Sequence, residues 1–351
     1  MKNINEVKDY INSAEEYEFL KDKSDLLTCV LGGSLSYGTE RYDKETGELL
    51  SDIDVRGIMF SPKEALLGNK IFEQKIDAKT DTVIYSLNKF ASLAAGCNPN
   101  VIEMLDPCDR NNLYRSKLGQ KLVDNRHLFF SKIAVKSFGG YASAQIDRLT
   151  NAIARDSMTQ AQLEEHMKNS IDRMIDSIEY KYGELGQQFK IYIDEATQRG
   201  LDEGLEKELF CDGNFKHLAL RDYKNFQEDI TCTLRNYGKI NHRNRKDDDH
   251  LGKHCSHTVR LLLTGIDLLE NEDIHTFRPN DLKLLKDLRN GMYQLEDGTY
   301  DKEFFEMIDD LNAWLKNAAE HTQLPGKPDY DAINKFVIEL NEEHLYEDKS
   351  C

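Results

Sequence analysis

Residues 26–34 read LLTCVLGGS and residues 51–60 read SDIDVRGIMF, and the fold is decided by these two stretches. Leu26 to Leu31 is a short apolar run ending in Gly32-Gly33, the pattern of a buried strand that meets a turn. Ile53 to Phe60 alternates, and Thr82 to Tyr85 (TVIY) is β-branched and aromatic, so both read as strands. Proline sets the boundary. The six prolines stand at 62, 99, 107, 279, 325 and 328. The run between Pro107 and Pro279 is rich in Leu, Lys, Glu, Gln and Ala and reads as a succession of long helices. The expected organisation is α+β: a small α/β module with a mixed sheet over residues 1–110, then an all-helical region over 111–351. A sub-boundary falls in the linker QLPGKPD at 323–329, with a last amphipathic helix from Tyr330 to near Leu345. Asn98-Pro99 reads as an N-cap followed by proline at the first helical position, and Gly291 as the residue that ends a helix.

Side chains alternate across a strand, so Asp52, Asp54 and Arg56 point to one face and Ile53 and Val55 to the other. Two carboxylates at that spacing repel unless a cation joins them, and their hard oxygens suit Mg²⁺. The plain alternative is a polar outer face with an Arg–Asp pair. Gly32-Gly33-Ser34 after a strand lets backbone N–H groups approach an anion, with the Ser34 hydroxyl as a further donor. Its plain alternative is a strand-to-helix turn with a serine cap. Together the two features outline a nucleotide site. A third carboxylate is expected on a neighbouring strand, and Asp81 fits by position, ahead of Asp77 and Glu73.

The set LGGS (31–34), YGT (37–39), SDIDVRG (51–57), DTVIYSL (81–87) and NPNVIEML (98–105) resembles the polymerase-β-type nucleotidyltransferase superfamily. More narrowly it is similar to the RNA-ligase-associated, RlaP-like branch of predicted nucleotidyltransferases. A weaker similarity runs through FGGYASAQIDRL (138–149) and LGKHCSHTVRLL (251–262). The resemblance implies a nucleotidyltransferase domain over 1–110 and a helical domain over 111–351. It implies that Gly33 and Ser34 hold a triphosphate, that Asp52 and Asp54 bind two Mg²⁺ ions (Mn²⁺ as a substitute), and that Asp81 serves one metal and the attacking hydroxyl. The reaction implied is transfer of an NMP from an NTP, ATP first among them, to an acceptor hydroxyl, with release of pyrophosphate. The branch tilts the acceptor toward an RNA end, with a protein hydroxyl or a small molecule as alternatives. Arg56 shares the metal face and holds the aspartates or a phosphate. One departure is the charged stretch ERYDKETGELLS at 40–51, longer than a compact spacing between Gly38 and Asp52. It reads either as a hairpin that leaves the motif intact or as a rearranged entrance.

The segment from Arg235 to Arg260 is basic, with seven Lys and Arg against three Asp, and Lys253, His257 and Arg260 share one helix face. It is the expected contact for the nucleotide or an anionic acceptor. His250, His254 and His257 also have helical spacing for zinc, without an HExxH or a cysteine pair to support it. Glu103 is weighed as a second residue facing the site. Gly139-Gly140 inside a helical stretch suggests a kink or a close approach, with Tyr141 a candidate for stacking on a base.

The net charge of −17 excludes a generally basic nucleic-acid coat, so a nucleic acid must meet a local patch. From Gly291 to Cys351 there are 15 acidic and 5 basic residues, so much of the excess sits at the C-terminal end. The apolar runs are too short to span a membrane, the N-terminus lacks the pattern of a secretory signal, and the seven cysteines form no CxxC pair. Free thiols in a reducing cytoplasm are expected. The rival to an enzyme is a non-catalytic nucleotide-binding or regulatory module, such as a nucleotide sensor or a toxin–antitoxin component.

Overall fold

The run LLTCVL becomes the central strand β1 (Leu26–Leu31) of a computed structural model, with all six residues buried. The structure describes residues 1–157, 169, 172, 189–202, 207–213, 216, 219–241, 249–295 and 299–347. Strand β1 is flanked on one side by β2 (Val55–Met59) and on the other by β5 (Asn112–Arg115), both antiparallel to it. Strand β4 (Thr82–Ser86) runs parallel to β2, and β3 (Gln74–Asp77) closes the sheet antiparallel to β4. The order β3-β4-β2-β1-β5 makes a mixed five-stranded sheet, as expected.

Each face of the sheet has its own core. Leu26, Cys29 and Leu31 join Val55 and Ile84 against Val7 and Ile11 of α1 (Ile4–Ser13). Leu27, Val30 and Ile58 pack with the helices of the other face. Two register shifts in β1 explain why its burial does not follow a strict period of two.

Local signals place the short helices. Helix α2 (Gly33–Tyr37) follows β1 directly and ends at Gly38 in the left-handed region. Ser86 caps α3 (Leu87–Ala95) by accepting from the Lys89 N–H at 3.2 Å. Asn98 caps α4 (Pro99–Ile102), with Pro99 at the first position as read from the sequence. Gly119 of α5 (Lys117–Asp124) lies against the Leu27 carbonyl, where a Cβ would stand 1.9 Å from the oxygen.

The longer helices are α6 (Ala134–Ser157), α7 (Leu220–Asn241), α8 (Asp249–Asn271), α9 (Leu282–Arg289), α10 (Lys302–His321) and α11 (Tyr330–Glu347). Gly291 ends α9 with φ +86°, and the Pro325–Pro328 linker separates α10 from α11. The chain divides into two compact units, Met1–Ile153 with Asp248–Cys351, and Ala154–Asp247.

The expectation of an all-helical region after residue 110 is corrected in two places. Asn112–Arg115 is a sheet strand, and Phe189–Glu195 pairs with Lys207–Gly213 as the antiparallel strands β6 and β7. FKIYIDE alternates apolar and polar residues, the period of a strand, although no proline marks it. The Gly139-Gly140 pair does not interrupt α6. A Cβ at Gly139 would lie 3.6 Å from Leu315, and one at Gly140 would meet nothing within 4 Å, so the expected close approach is absent there. Tyr141 instead accepts a hydrogen bond from Asn98 Nδ2 at 3.1 Å.

Candidate active site

Strand β1 delivers the chain to the site. Its last residues, the α2 turn, the segment before β2, the α4 turn and the inner face of α8 enclose a cavity of about 720 Å³. Gly33, Ser34, Asp52, Asp54, Arg56, Lys253, His257 and Arg260 all line it. All of these lie in the first compact unit. Asp81 stands beside Asp54 rather than on the cavity wall. The parallel register pairs Val55 with Thr82, so the two aspartates occupy adjacent strand ends.

Gly33 makes the approach possible. Its φ is +56°, and a Cβ there would fall 1.8 Å from Asp54 Oδ2. Only glycine accommodates both the left-handed backbone and the carboxylate against it. The Gly32 N–H donates to the Asp54 carbonyl at 2.8 Å, which fixes the glycine turn to the aspartate segment.

Arg56 ties the carboxylates together. Its Nη2 lies 3.2 Å from Asp54 Oδ1, and its Nη1 lies 3.5 Å from Asp81 Oδ1. Nη1 also donates to the Asp81 carbonyl at 2.6 Å. Burial pushes the Asp54 carboxyl up to about 6, a hydrogen bond with the Asp81 side chain adds to this, and Arg56 and Lys253 oppose it. Asp81 itself has the left-handed φ of +43°, which aspartate tolerates better than most residues.

The opposite wall comes from α8. Arg260 is 2% exposed, forms an ion pair with Glu103, and places its guanidinium 3.7 Å from the centre of the Tyr37 ring. Tyr37 donates from its hydroxyl to the second Glu103 oxygen at 2.8 Å. Glu103, also on the cavity wall, thus faces the site through its pairing with Arg260. His257 is half-buried, and desolvation together with the charges of Arg260, His254, Lys253 and Arg148 pushes its imidazole well below the usual range.

The 40–51 stretch folds back as a small hairpin. Tyr42 bridges Leu49, and Asp43 accepts from the Glu45 and Thr46 N–H groups at its tip. Arg41, Leu50 and Ser51 at its base line the cavity, so the hairpin both preserves the motif and shapes the entrance. Sequence reasoning also passed over Asp106, Asn111 and Thr276. Asp106 accepts from the Thr276 N–H at 2.8 Å, and Asn111 Nδ2 donates to Thr276 Oγ1 at 2.7 Å. These three join the loop before α9 to the sheet unit, and no motif spacing marks them.

Among the described residues, no group of three or more His, Cys, Asp and Glu stands ready to hold a metal ion. In the histidine set, His254 Nδ1 meets Gln145 Oε1 at 2.8 Å and His257 Nδ1 meets Arg260. His242, Arg243, Arg245, Lys246, Asp247 and Asp248 of the basic segment lie outside the described residues, as do the side chains of Arg235, Lys239 and His250. Among the described residues, no helix is long and apolar enough to cross a membrane.

No curated protein and no solved structure matches the chain. Residues 12–173, which take in every motif from Gly33 to Glu103 and stop short of α8, match the RlaP family model, described as the RNA repair pathway DNA polymerase beta family.

Proposed function

We propose that the cavity is a metal-dependent nucleotidyl-transfer site, which moves an NMP from an NTP to an acceptor hydroxyl and releases pyrophosphate. The observation that carries this reading is the register that sets Asp81 beside Asp54, next to the glycine turn that closes on the Asp54 carboxylate. Two carboxyl groups that share a hydrogen bond, one of them half-buried and raised to about 6, form a hard-oxygen set suited to a divalent cation. Asp52, Asp54 and Asp81 would hold Mg²⁺ there, with Mn²⁺ as a substitute. Such an ion supplies a lowered pKa for the acceptor hydroxyl and charge stabilisation for the leaving pyrophosphate.

The chain's own residues position the reactants. Gly33 and Ser34 offer backbone N–H groups and a hydroxyl to the triphosphate at the α2 turn. Lys253 supplies a cation from the opposite wall, and His257 supplies a hydrogen-bonding group beside it. Arg56 restrains Asp54 and Asp81 in the absence of metal and turns to a phosphate when they are engaged elsewhere. Asp81, with its side chain 60% exposed beside Asp54, is open to an incoming hydroxyl. The family's printed description, an RNA repair pathway family, supports an RNA end as acceptor; ATP is the first NTP to test. Buried free thiols at Cys29, Cys97 and Cys255 support a reducing, cytoplasmic setting.

The test is transfer of label from α-labelled NTPs to RNA ends in Mg²⁺, with wild type beside the Asp52→Ala/Asp54→Ala variant. Label transfer by wild type alone supports the reading, and equal transfer by both overturns the site. One observation favours the non-catalytic rival: Arg56 already bridges Asp54 and Asp81. Nucleotide binding that is indifferent to Mg²⁺, with no turnover on RNA or protein acceptors, would select that reading.

A further inference from the structure

We propose that His257 is a neutral hydrogen-bond donor to a phosphate oxygen of the nucleotide, fixed in its Nε2–H tautomer by Arg260, with Glu103 and Tyr37 as the positioning residues that hold Arg260 for this task. The acceptor's identity rests on the nucleotide reading above; the tautomer does not.

The argument starts with Arg260. A guanidinium has five donors and no acceptor. Here it is buried and its place is fixed on three sides: Glu103 pairs with Nη1, Tyr37 lies under its plane, and Nη2 stands 3.3 Å from His257 Nδ1. Glu103 is fully engaged by this arrangement, because its other oxygen accepts from the Tyr37 hydroxyl. Its charge is therefore spent on Arg260.

Since Nη2 can only donate, His257 Nδ1 must be the bare nitrogen of the ring, and the single proton sits on Nε2. A second proton on Nδ1 would point an N–H at a cation. The charged groups around the ring act in the same direction: Arg260, Lys253 and Arg148 are cations, with His254 a further titratable neighbour, and Glu103 is already paired with Arg260. His257 lines the cavity one helical turn from Lys253, and Lys253 is close enough to Asp54 to bias its ionisation. A phosphate beside Lys253 meets that charge and, one turn on, a neutral donor. The neutral donor adds a hydrogen bond without adding charge that would retain the pyrophosphate product.

This arrangement gives Arg260 a supporting role. Although it reaches the cavity wall at 2% exposure, its part in this proposal is to fix the His257 ring.

The tautomer is read directly by long-range proton–nitrogen correlation on the full chain carrying nitrogen-15 histidine, without metal or nucleotide. The expected result is an unprotonated Nδ1 and a protonated Nε2, unchanged from about pH 5.5 to 8, where an ordinary histidine titrates. A protonated Nδ1, or a ring that becomes an imidazolium in that range, overturns the proposal. Glu103→Gln should release Arg260 and give a mixture of tautomers at His257; an unchanged spectrum would remove Glu103 from the chain of positioning residues. In turnover, His257→Ala should raise the NTP KM about tenfold with a smaller change in kcat, the loss of one hydrogen bond. His257→Gln, which keeps a neutral donor near the Nε2 position, should recover most of that loss, whereas equal effects of Gln and Ala would refute a donor role. If the tautomer is found and no NTP binds, the nucleotide reading fails alone; if NTP binds and Nδ1 carries the proton, this inference fails alone.

Discussion

Asp54→Asn should leave the protein inactive and make its metal-free form more stable at neutral and alkaline pH. Burial and the Asp81 hydrogen bond raise the Asp54 carboxyl from 3.8 to about 6. The folded protein therefore holds a proton on Asp54 more tightly than the unfolded chain does. The stability this brings is fully present below about pH 4 and is lost as the pH rises through about 6. A shift of roughly two units, at about 1.4 kcal/mol each, sets a ceiling of about 3 kcal/mol. Asparagine avoids that cost and keeps the shape beside Gly33. It also exchanges the Arg56 ion pair at 3.2 Å, partly exposed and worth about 1 kcal/mol or less, for a neutral hydrogen bond to the amide oxygen. The net gain expected is about 1–2 kcal/mol at pH 8 and none near pH 4. Urea unfolding in EDTA at the two pH values measures it. Added Mg²⁺ should then raise the wild-type midpoint and leave the variant's in place. A variant less stable than wild type by the same amount at both pH values would refute the burial argument.

Gly33→Ala should cost about 1–2 kcal/mol from its left-handed backbone alone, measured by urea unfolding. Its Cβ would also displace the Asp54 carboxylate, which stands 1.8 Å away, so NMP transfer should fall by about 10² or more. Lys253→Met should raise the NTP KM, and because Lys253 holds the Asp54 carboxyl down, the acid limb of the pH–rate profile should move to higher pH. Among the described cysteines, Cys108 and Cys211 are exposed and should be alkylated in the native state. Cys29, Cys97 and Cys255 should be alkylated only on unfolding, since they are buried and burial raises each thiol. Site-resolved mass spectrometry distinguishes the two groups, and early labelling of Cys29 would show that the sheet opens.

What the sequence made legible follows from the range of the forces involved. Strand β1 announced itself because six consecutive buried residues leave a composition signal, and the Asn98-Pro99 start of α4 did so because a cap is local chemistry. Asp52, Asp54 and Arg56 do line one cavity, but β2 begins only at Val55, so the strand alternation read for them applies to Arg56 alone and the two aspartates stand in the segment that leads into the strand. Asp81 was placed by its position at a strand start; the register that sets it beside Asp54 depends on a long connection through β3. Long-range partners were not readable. Glu103 meets Arg260 across 157 residues, and Asp106 meets Thr276 across 170, with no spacing rule to link either pair. The β6–β7 pair is hidden from a proline-based boundary because FKIYIDE alternates in a stretch that holds no proline.

The excess of negative charge meets its test at the cavity. Asp52, Asp54, Glu103 and Asp106 bring four carboxylates to the wall, with Asp81 beside them. Arg56 is shared between Asp54 and Asp81, and Arg260 is paired with Glu103, so neither cation is available in full to an arriving anion. A triphosphate entering this wall would be repelled if the aspartates kept their charge unshared. Protonation of Asp54 lessens the repulsion only below about pH 6. Near neutral pH, compensation comes from Lys253, Arg41 and Arg289 on the wall and, under the proposed reading, from cations bound with the nucleotide. A nucleotide that binds tightly at pH 8 and low salt in the presence of EDTA would contradict this. It would mean that the paired arginines leave their carboxylates for the phosphates at little cost.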